Sequence, residues 1–168
     1  MVPLLERVAE PYGISVVSGG GCDSLTVKHR AGLLLGRRHP VEVLHIGHWD
    51  DSGECMYDAL SEDIEAFADH YHRDLTFSRL AVTPEQVAQY NLPTAPPKKG
   101  KNGKENTRQL RKKMTATVQA EALDPATLAQ TLEAAIQSRF DMDVFEQVIA
   151  QEAKEREELK AQLTEMTA

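Results

Sequence analysis

The sequence predicts an α/β fold in which a small parallel sheet is flanked by helices and followed by a helical extension. Short apolar runs of strand length alternate along the chain with segments whose apolar residues recur at helical spacing, as expected for strand–helix units. The 168 residues, 41% of them hydrophobic, are also enough for one domain with a buried core. We assign that domain to residues 1–140 and the extension to residues 141–168.

Each element follows from a local signal. Strands are predicted where short apolar runs are bounded by turn residues, at residues 14–18, 42–46 and 75–80. Helices are predicted where a capping residue or a breaker bounds an apolar periodicity, at residues 2–9, 23–35, 52–68 and 107–118, after Thr83 and Asp124, and over 152–166. Thr83 and Asp124 are the clearest caps, because a proline follows each at the first helical position.

A glycine turn at residues 19–21 precedes the second predicted helix, and backbone N–H groups at a helix start bind anions. The turn lacks the lysine and hydroxyl residue of a Walker motif, and its spacing is not that of a dinucleotide-binding loop. The sequence therefore does not favour a dedicated nucleotide site here.

The most informative segment is residues 45–56, His-Ile-Gly-His-Trp-Asp-Asp-Ser-Gly-Glu-Cys-Met. A predicted strand leads into Gly47, a polar cluster and then a helical pattern, which is where open α/β sheets bind their ligands. Carboxylate and imidazole groups follow one another closely in this segment. The candidate metal ligands are His48, Asp50, Asp51 and Glu54.

The stretch Gly-His-Trp-Asp-Asp-Ser-Gly at 47–53 resembles the metal-binding turn of Toprim domains, in the form found in topoisomerase VI A-subunit-like and phage or mobile-element proteins. In that family the turn reads Gly-Asp-x-Asp, and both aspartates hold magnesium. Asp50 matches the second aspartate, whereas His48 stands in place of the first. Residues 80–93 and 121–128 also resemble stretches of these proteins, so the resemblance extends to about residue 140.

The resemblance implies a site that binds metal more weakly than the family's site does. A histidine in place of a carboxylate removes one negative charge and favours manganese or zinc over magnesium. The family's catalytic glutamate would lie on a strand upstream of Met1, so the chain is expected to start late or to have lost that strand. We expect magnesium or manganese to bind weakly and no other cofactor to bind. The resemblance also places Ser24 near the DNA-facing edge of the sheet.

Cysteines and histidines carry a weaker signal. Cys22 and Cys55 lack C-x-x-C spacing, so free thiols are predicted rather than a disulfide or a thiolate zinc site. Four histidines fall near the ends of elements without a zinc-binding spacing, and a surface cluster is predicted for them. These are His45, His48, His70 and His72.

Charge is unevenly distributed along the chain. Residues 92–103 are rich in proline and glycine and predict a mobile loop, which continues into a basic segment at 98–113. That segment has eight basic residues and one acid, a charge of +7, so a net charge of −7 leaves −14 on the rest of the chain. The candidate phosphate contacts are Lys98, Lys99, Lys101, Lys104, Arg108, Arg111, Lys112 and Lys113.

Three functions fit these features. The preferred one is a Toprim-related DNA-binding protein that has lost or weakened its metal-dependent strand cleavage. The alternatives are an active nuclease or topoisomerase-like subunit that uses His48 and Asp50, and a non-catalytic module whose acidic C-terminal helix binds a protein partner. A cytoplasmic location without membrane contact is expected, because the sequence contains neither a signal peptide nor an apolar run of membrane length.

Overall fold

A computed structural model describes residues 1–19, 25–35, 40–70, 75–97 and 114–166. This part of the chain forms helices and two strands, joined by turns and two short 3₁₀ segments, Glu10–Tyr12 and Ala120–Ala122. In chain order the elements are α1 (Val2–Ala9), α2 (Leu25–Leu35), β1 (Val41–Ile46), α3 (Asp51–Asp69), β2 (Leu75–Ala81), α4 (Pro84–Gln89), α5 (Pro125–Gln137) and α6 (Met142–Met166).

β1 and β2 pair in parallel, which confirms the predicted α/β class with a small parallel sheet flanked by helices. The register places His45 opposite Arg79 and, after an irregularity, Ile46 opposite Ala81. Parallel neighbours need a crossover connection, and α3 supplies it. The ends of both strands therefore lie at the same edge of the sheet.

Helices cover both faces of this sheet. Leu44 and Ile46 of β1 pack against the main hydrophobic core, whereas the ring of His45 lies 4.9 Å from the ring of Tyr57 in α3. Successive side chains of a strand point to opposite faces. It follows that α3 covers one face and the main core covers the other.

The main core joins α1 and α5 to the end of β2 and to the segment that precedes α5. α5 contributes one face through residues four positions apart, as an amphipathic helix should. The buried residues of this core are Leu5, Ala9, Ala81, Val82, Val118, Ala120, Leu123, Leu128, Leu132 and Ile136.

α2 packs closely against α3. A Cβ added at Gly32 would lie 2.7 Å from the Cβ of Phe67, so the two helices need a glycine at their point of contact. Lys28 is buried between them, where its Nζ donates to Asp63 Oδ2 at 2.7 Å and to the carbonyl oxygen of Ala59 at 3.1 Å. A glycine and one ion pair thus fix this helix pair.

Two of the predicted elements are wrong in the described residues. Residues 14–18 form no strand: Val17 is 86% exposed, and only Val16 packs against the core, so the apolar run has too little burial to act as a central strand. The basic helix predicted over 107–118 is contradicted at its end, because Thr117 and Val118 are extended and form antiparallel bridges.

Other predictions fall outside the described residues. They concern the turn after Gly19, with Cys22 and Ser24, the histidine at 72 and the whole basic segment 98–113. In the part that the structure describes, no helix is long and apolar enough to cross a membrane.

Candidate functional site

The turn that follows β1, residues 47–54, is held on two sides; we call it the strand-end turn. Gly47 continues the pairing with β2, since its N–H donates to the carbonyl oxygen of Ala81 at 2.7 Å and its own carbonyl accepts from Val82 N–H at 2.9 Å. Trp49 and Val118 then exchange two backbone hydrogen bonds, of 2.9 and 2.8 Å. The turn therefore joins the sheet edge to the segment that precedes α5.

Asp50 caps α3. Its backbone is extended, and the residue as a whole is 8% exposed. Its Oδ1 accepts a hydrogen bond from Gly53 N–H at 2.6 Å. A Cβ added at Gly53 would lie 2.3 Å from the carbonyl oxygen of His48, so only glycine fits beneath the turn. A carboxylate at the N-cap satisfies one of the unpaired N–H groups of the helix start. The matched family aspartate thus has a structural partner here.

The imidazole of His48 is also engaged. Its Nδ1 accepts a hydrogen bond from Ala120 N–H at 2.9 Å, and Glu121 Oε2 lies 3.7 Å from the same nitrogen. An ion pair would need a proton on Nδ1, and that proton would displace the Ala120 donor. The shorter, directed hydrogen bond uses the Nδ1 lone pair, so this bond and not the Glu121 carboxylate holds the ring.

Glu54 faces a half-buried cation. Its Oε1 lies 3.1 Å from Nη1 of Arg79, a β2 residue whose Nη2 donates to the carbonyl oxygen of His48. The guanidinium carbon of Arg79 also lies 5.4 Å from the ring centre of Tyr57, a cation–π distance. Burial lowers the pKa of Arg79, and the nearby Glu54 opposes that shift. Glu54 and Arg79 therefore neutralise each other beside the strand-end turn.

His45 lies below the turn, between the sheet and α3. Burial, followed by repulsion from Arg79, lowers the pKa of His45 to about 4, and its Nδ1 is buried without a hydrogen-bond partner. The histidine is therefore neutral at physiological pH and packs against Tyr57. The predicted surface histidine cluster is wrong for this residue.

The four predicted metal ligands lie on one turn, but their donor atoms do not converge. Asp50 caps the helix, His48 accepts from a backbone amide, and Glu54 pairs with Arg79. Asp51 retains a buried Oδ1 without a hydrogen-bond partner. Within the described ranges, no three His, Cys, Asp or Glu side chains are grouped as a metal site would require. The arrangement does not fit the family's two-aspartate magnesium site.

Two described residues that flank the basic segment in the sequence, Ala95 and Thr117, pair next to this turn. Ala95 N–H donates to the carbonyl oxygen of Thr117 at 2.9 Å, and Thr117 N–H donates back to Ala95 at 2.8 Å. The Thr117 hydroxyl also donates to the carbonyl oxygen of Ala95, at 3.2 Å. We call this pair the segment base. Val118, the next residue, pairs with Trp49, so the segment base adjoins the strand-end turn.

Sequence reasoning missed Arg79 and the backbone of Ala120. A charged residue in an otherwise uncharged strand was the available signal for Arg79, because such a side chain needs a partner when it is half-buried. No sequence signal identified Ala120, since its role depends on a contact across 72 positions of the chain.

No protein-family model, curated protein or solved structure matches this chain significantly.

Proposed function

We propose that this chain is a Toprim-related DNA-binding protein whose strand-end turn has become an architectural element. In this proposal the basic segment 98–113 contacts DNA phosphates, with Ser24 as a further contact. Strand cleavage is lost or weak, and magnesium or manganese binds weakly at most. The family relationship rests on the resemblance of residues 47–53, 80–93 and 121–128 to Toprim proteins.

The observation that carries the proposal is the segment base. Two backbone hydrogen bonds hold Ala95 to Thr117, the residues that lie before and after the basic segment in the sequence. This pair adjoins the strand-end turn, at the edge of the sheet where α/β proteins bind ligands. In this proposal the eight cations of the intervening segment contact DNA near this edge.

The charge distribution supports the same assignment. Phosphate contacts by lysine and arginine supply the sequence-independent part of DNA affinity. The remaining chain carries −14, and its acidic surface would be repelled by DNA. Binding should therefore depend on the basic segment alone.

The contacts of the predicted ligands support loss of cleavage. Oδ1 of Asp50 already accepts from Gly53 N–H, which leaves fewer free carboxylate oxygens for a metal. His48 would still offer Nε2, but its Nδ1 bond to Ala120 fixes the ring. These groups stabilise the turn, whereas catalytic magnesium needs several free carboxylate oxygens.

The decisive experiment measures binding to a labelled duplex by fluorescence anisotropy at several salt concentrations. We expect the logarithm of affinity to fall steeply with the logarithm of salt. Replacing Lys112 and Lys113 by alanine should reduce the slope by about one unit per lost contact. The matched control replaces Arg7 and Lys154, which are exposed cations outside the basic segment, and should leave the slope unchanged.

Three outcomes would contradict the proposal. A slope that survives neutralisation of all eight basic residues would place DNA binding elsewhere. Absence of binding by the parent chain at low salt would favour the protein-partner module. Nicking of supercoiled DNA with magnesium or manganese, abolished by Asp50→Asn, would establish the active-nuclease alternative.

A further inference from the structure

Among the described residues, helix α6 (Met142–Met166) packs against the domain through its first turn. Phe145 stacks on Tyr12, with ring centres 5.3 Å apart, and meets Phe140 edge-on at 5.5 Å. From residue 146 to residue 166 every side chain is exposed. A helix of 25 residues is roughly 37 Å long, so most of its length extends away from the described domain.

One stripe of α6 follows the alternating three- and four-residue spacing of a coiled-coil seam. Its two ends are apolar and its centre is charged. Three of its members, Leu159, Leu163 and Met166, are 60%, 62% and 83% exposed. The complete stripe is Met142, Phe145, Ile149, Glu152, Arg156, Leu159, Leu163 and Met166.

The stripe is symmetric about Lys154. In an antiparallel pair of α6 helices centred there, every apolar residue of the stripe would meet an apolar residue of the second copy's stripe. Met142 would meet Met166, Phe145 would meet Leu163, and Ile149 would meet Leu159, each pair twice. Leu163 of one copy would thus reach the aromatic cluster of Tyr12, Phe140 and Phe145 of the other.

The charges follow the same symmetry. Glu152 would meet Arg156 of the second copy, twice in the dimer, and Glu146 would flank Lys160. In a parallel pair Glu152 would instead face Glu152, and Arg156 would face Arg156. Within one chain Glu152 and Arg156 already form an ion pair of 2.6 Å, so their charged groups lie together at the centre of the stripe. A polar layer of this kind selects register and orientation in coiled coils.

We infer that α6 is a self-association helix, through which two copies of this chain pair in an antiparallel coiled coil. An acidic membrane or a nucleic acid is a poorer occupant, because α6 carries seven acidic and three basic residues. The inference does not depend on DNA binding, which concerns a different segment. A dimer would present two basic segments, one from each copy.

The test exchanges charges at the centre of the stripe and measures the mass in solution by sedimentation velocity. The parent chain should dimerise. Glu152→Arg and Arg156→Glu should each weaken self-association by at least about tenfold, because like charges then meet twice in the dimer. An equimolar mixture of the two variants should dimerise again, because the two positive charges at the centre of one stripe then face two negative charges at the centre of the other.

The mixture separates the proposed contact from a helix-stability effect. Both variants lose the ion pair within their own helix, and mixing cannot restore it, so only contact between chains can rescue association. Circular dichroism should show that both variants keep their helix content. Lys154→Ala, on the outer face of α6, is the matched control and should dimerise like the parent.

Orientation is tested by disulfide formation in a background with Cys22 and Cys55 replaced by serine. Glu146→Cys mixed with Lys160→Cys should cross-link, because antiparallel pairing brings these positions together. Parallel helices would separate them by about 21 Å, which is too far for a disulfide. A monomeric parent chain, failure of the charge mixture to restore the dimer, or absence of this cross-link would overturn the inference.

Discussion

The imidazole of His48 accepts a hydrogen bond from the backbone N–H of Ala120 across 2.9 Å. This contact joins the turn after β1 to the segment that leads into α5. It gives His48 an architectural role. The turn and the preceding segment are then one unit, held by this bond and by the pairing of Trp49 with Val118.

Replacing His48 by alanine should therefore destabilise the protein. The buried Ala120 N–H would lose its acceptor, at a cost of about 1–3 kcal/mol in the free energy of unfolding. Urea denaturation measures this loss. Glu121→Ala is the matched control and should have almost no effect, and nitrogen NMR should place the proton of His48 on Nε2. An equal loss in both variants would mean that the ion pair, and not the hydrogen bond, holds the turn.

Asp50 provides a test of capping against metal binding. Asp50→Ala should reduce the free energy of unfolding by about 1–2 kcal/mol, whereas Asp50→Asn should change it little, because asparagine caps nearly as well. Thermal melts with and without magnesium should coincide for the parent and both variants. Stoichiometric magnesium binding by the parent, measured by calorimetry and absent in Asp50→Asn, would show that the capping interpretation is incomplete.

His45 should make stability depend on pH in a defined window. Its pKa is about 4 in the folded chain against an ordinary 6.5, because burial and then Arg79 disfavour the charged ring. As the pH falls from 6.5 toward 4, His45 takes up a proton in the unfolded chain but not in the folded one. The stabilising contribution of His45, which is complete above pH 6.5, is therefore lost over this range. After allowance for solvent screening we expect a loss of about 1–2 kcal/mol.

His45→Phe tests whether His45 causes the pH dependence between pH 6.5 and 4. It keeps the ring contact with Tyr57 but removes the titrating group, so urea midpoints should become flat between pH 6.5 and about 4.5. Glu42, whose pKa is lowered to about 2 by its hydrogen bonds from Arg139 and Ser78, loses its contribution only below that range. An unchanged pH dependence in His45→Phe would show that another group titrates there.

The sequence predicted the elements whose signals are local. Thr83 and Asp124 cap their helices as expected, and the strand before the turn and the helix after it lie where their periodicity placed them. The strand predicted at residues 14–18 failed, because an apolar run does not reveal whether another strand is available to pair with it. The end of the basic helix failed for a related reason, since Thr117 pairs with Ala95, 22 positions away.

In the candidate site, too, the local feature was predictable and the contacts between distant residues were not. Its location at the strand end was predictable, because Gly47 and the polar cluster lie next to each other in the sequence. The actual partners of those groups were not, since Ala120 and Arg79 are distant in sequence from His48 and Glu54. A carboxylate that caps a helix and one that holds a metal look alike until the fold supplies the neighbouring donors.

The ion pair between the buried Lys28 and the part-exposed Asp63 should respond asymmetrically to mutation. Lys28 is 8% exposed, so Asp63→Ala would leave its charge between α2 and α3 with only the carbonyl of Ala59. We expect a loss of about 1–2 kcal/mol, because the Asp63 side chain is 42% exposed and solvent screens the pair, whereas Lys28→Met should cost less than about 1 kcal/mol. The comparison uses urea midpoints of the two variants. Similar losses in both would mean that the pair contributes chiefly through packing.

Trp49 is the chain's single tryptophan and should report binding at the segment base. Its backbone pairs with Val118, which follows the Thr117 partner of Ala95, so phosphate contacts by the basic segment should alter the surroundings of the indole. We expect its fluorescence to change on addition of duplex DNA, with the same midpoint as the anisotropy titration.

Two variants make the fluorescence measurement specific. Replacing Lys112 and Lys113 by alanine should move the fluorescence and anisotropy midpoints together to higher DNA concentration. Trp49→Phe should abolish the fluorescence change while the anisotropy change persists, because the ring is a reporter and not a phosphate contact. Anisotropy that saturates while Trp49 emission stays constant would show that DNA binds away from the strand-end turn.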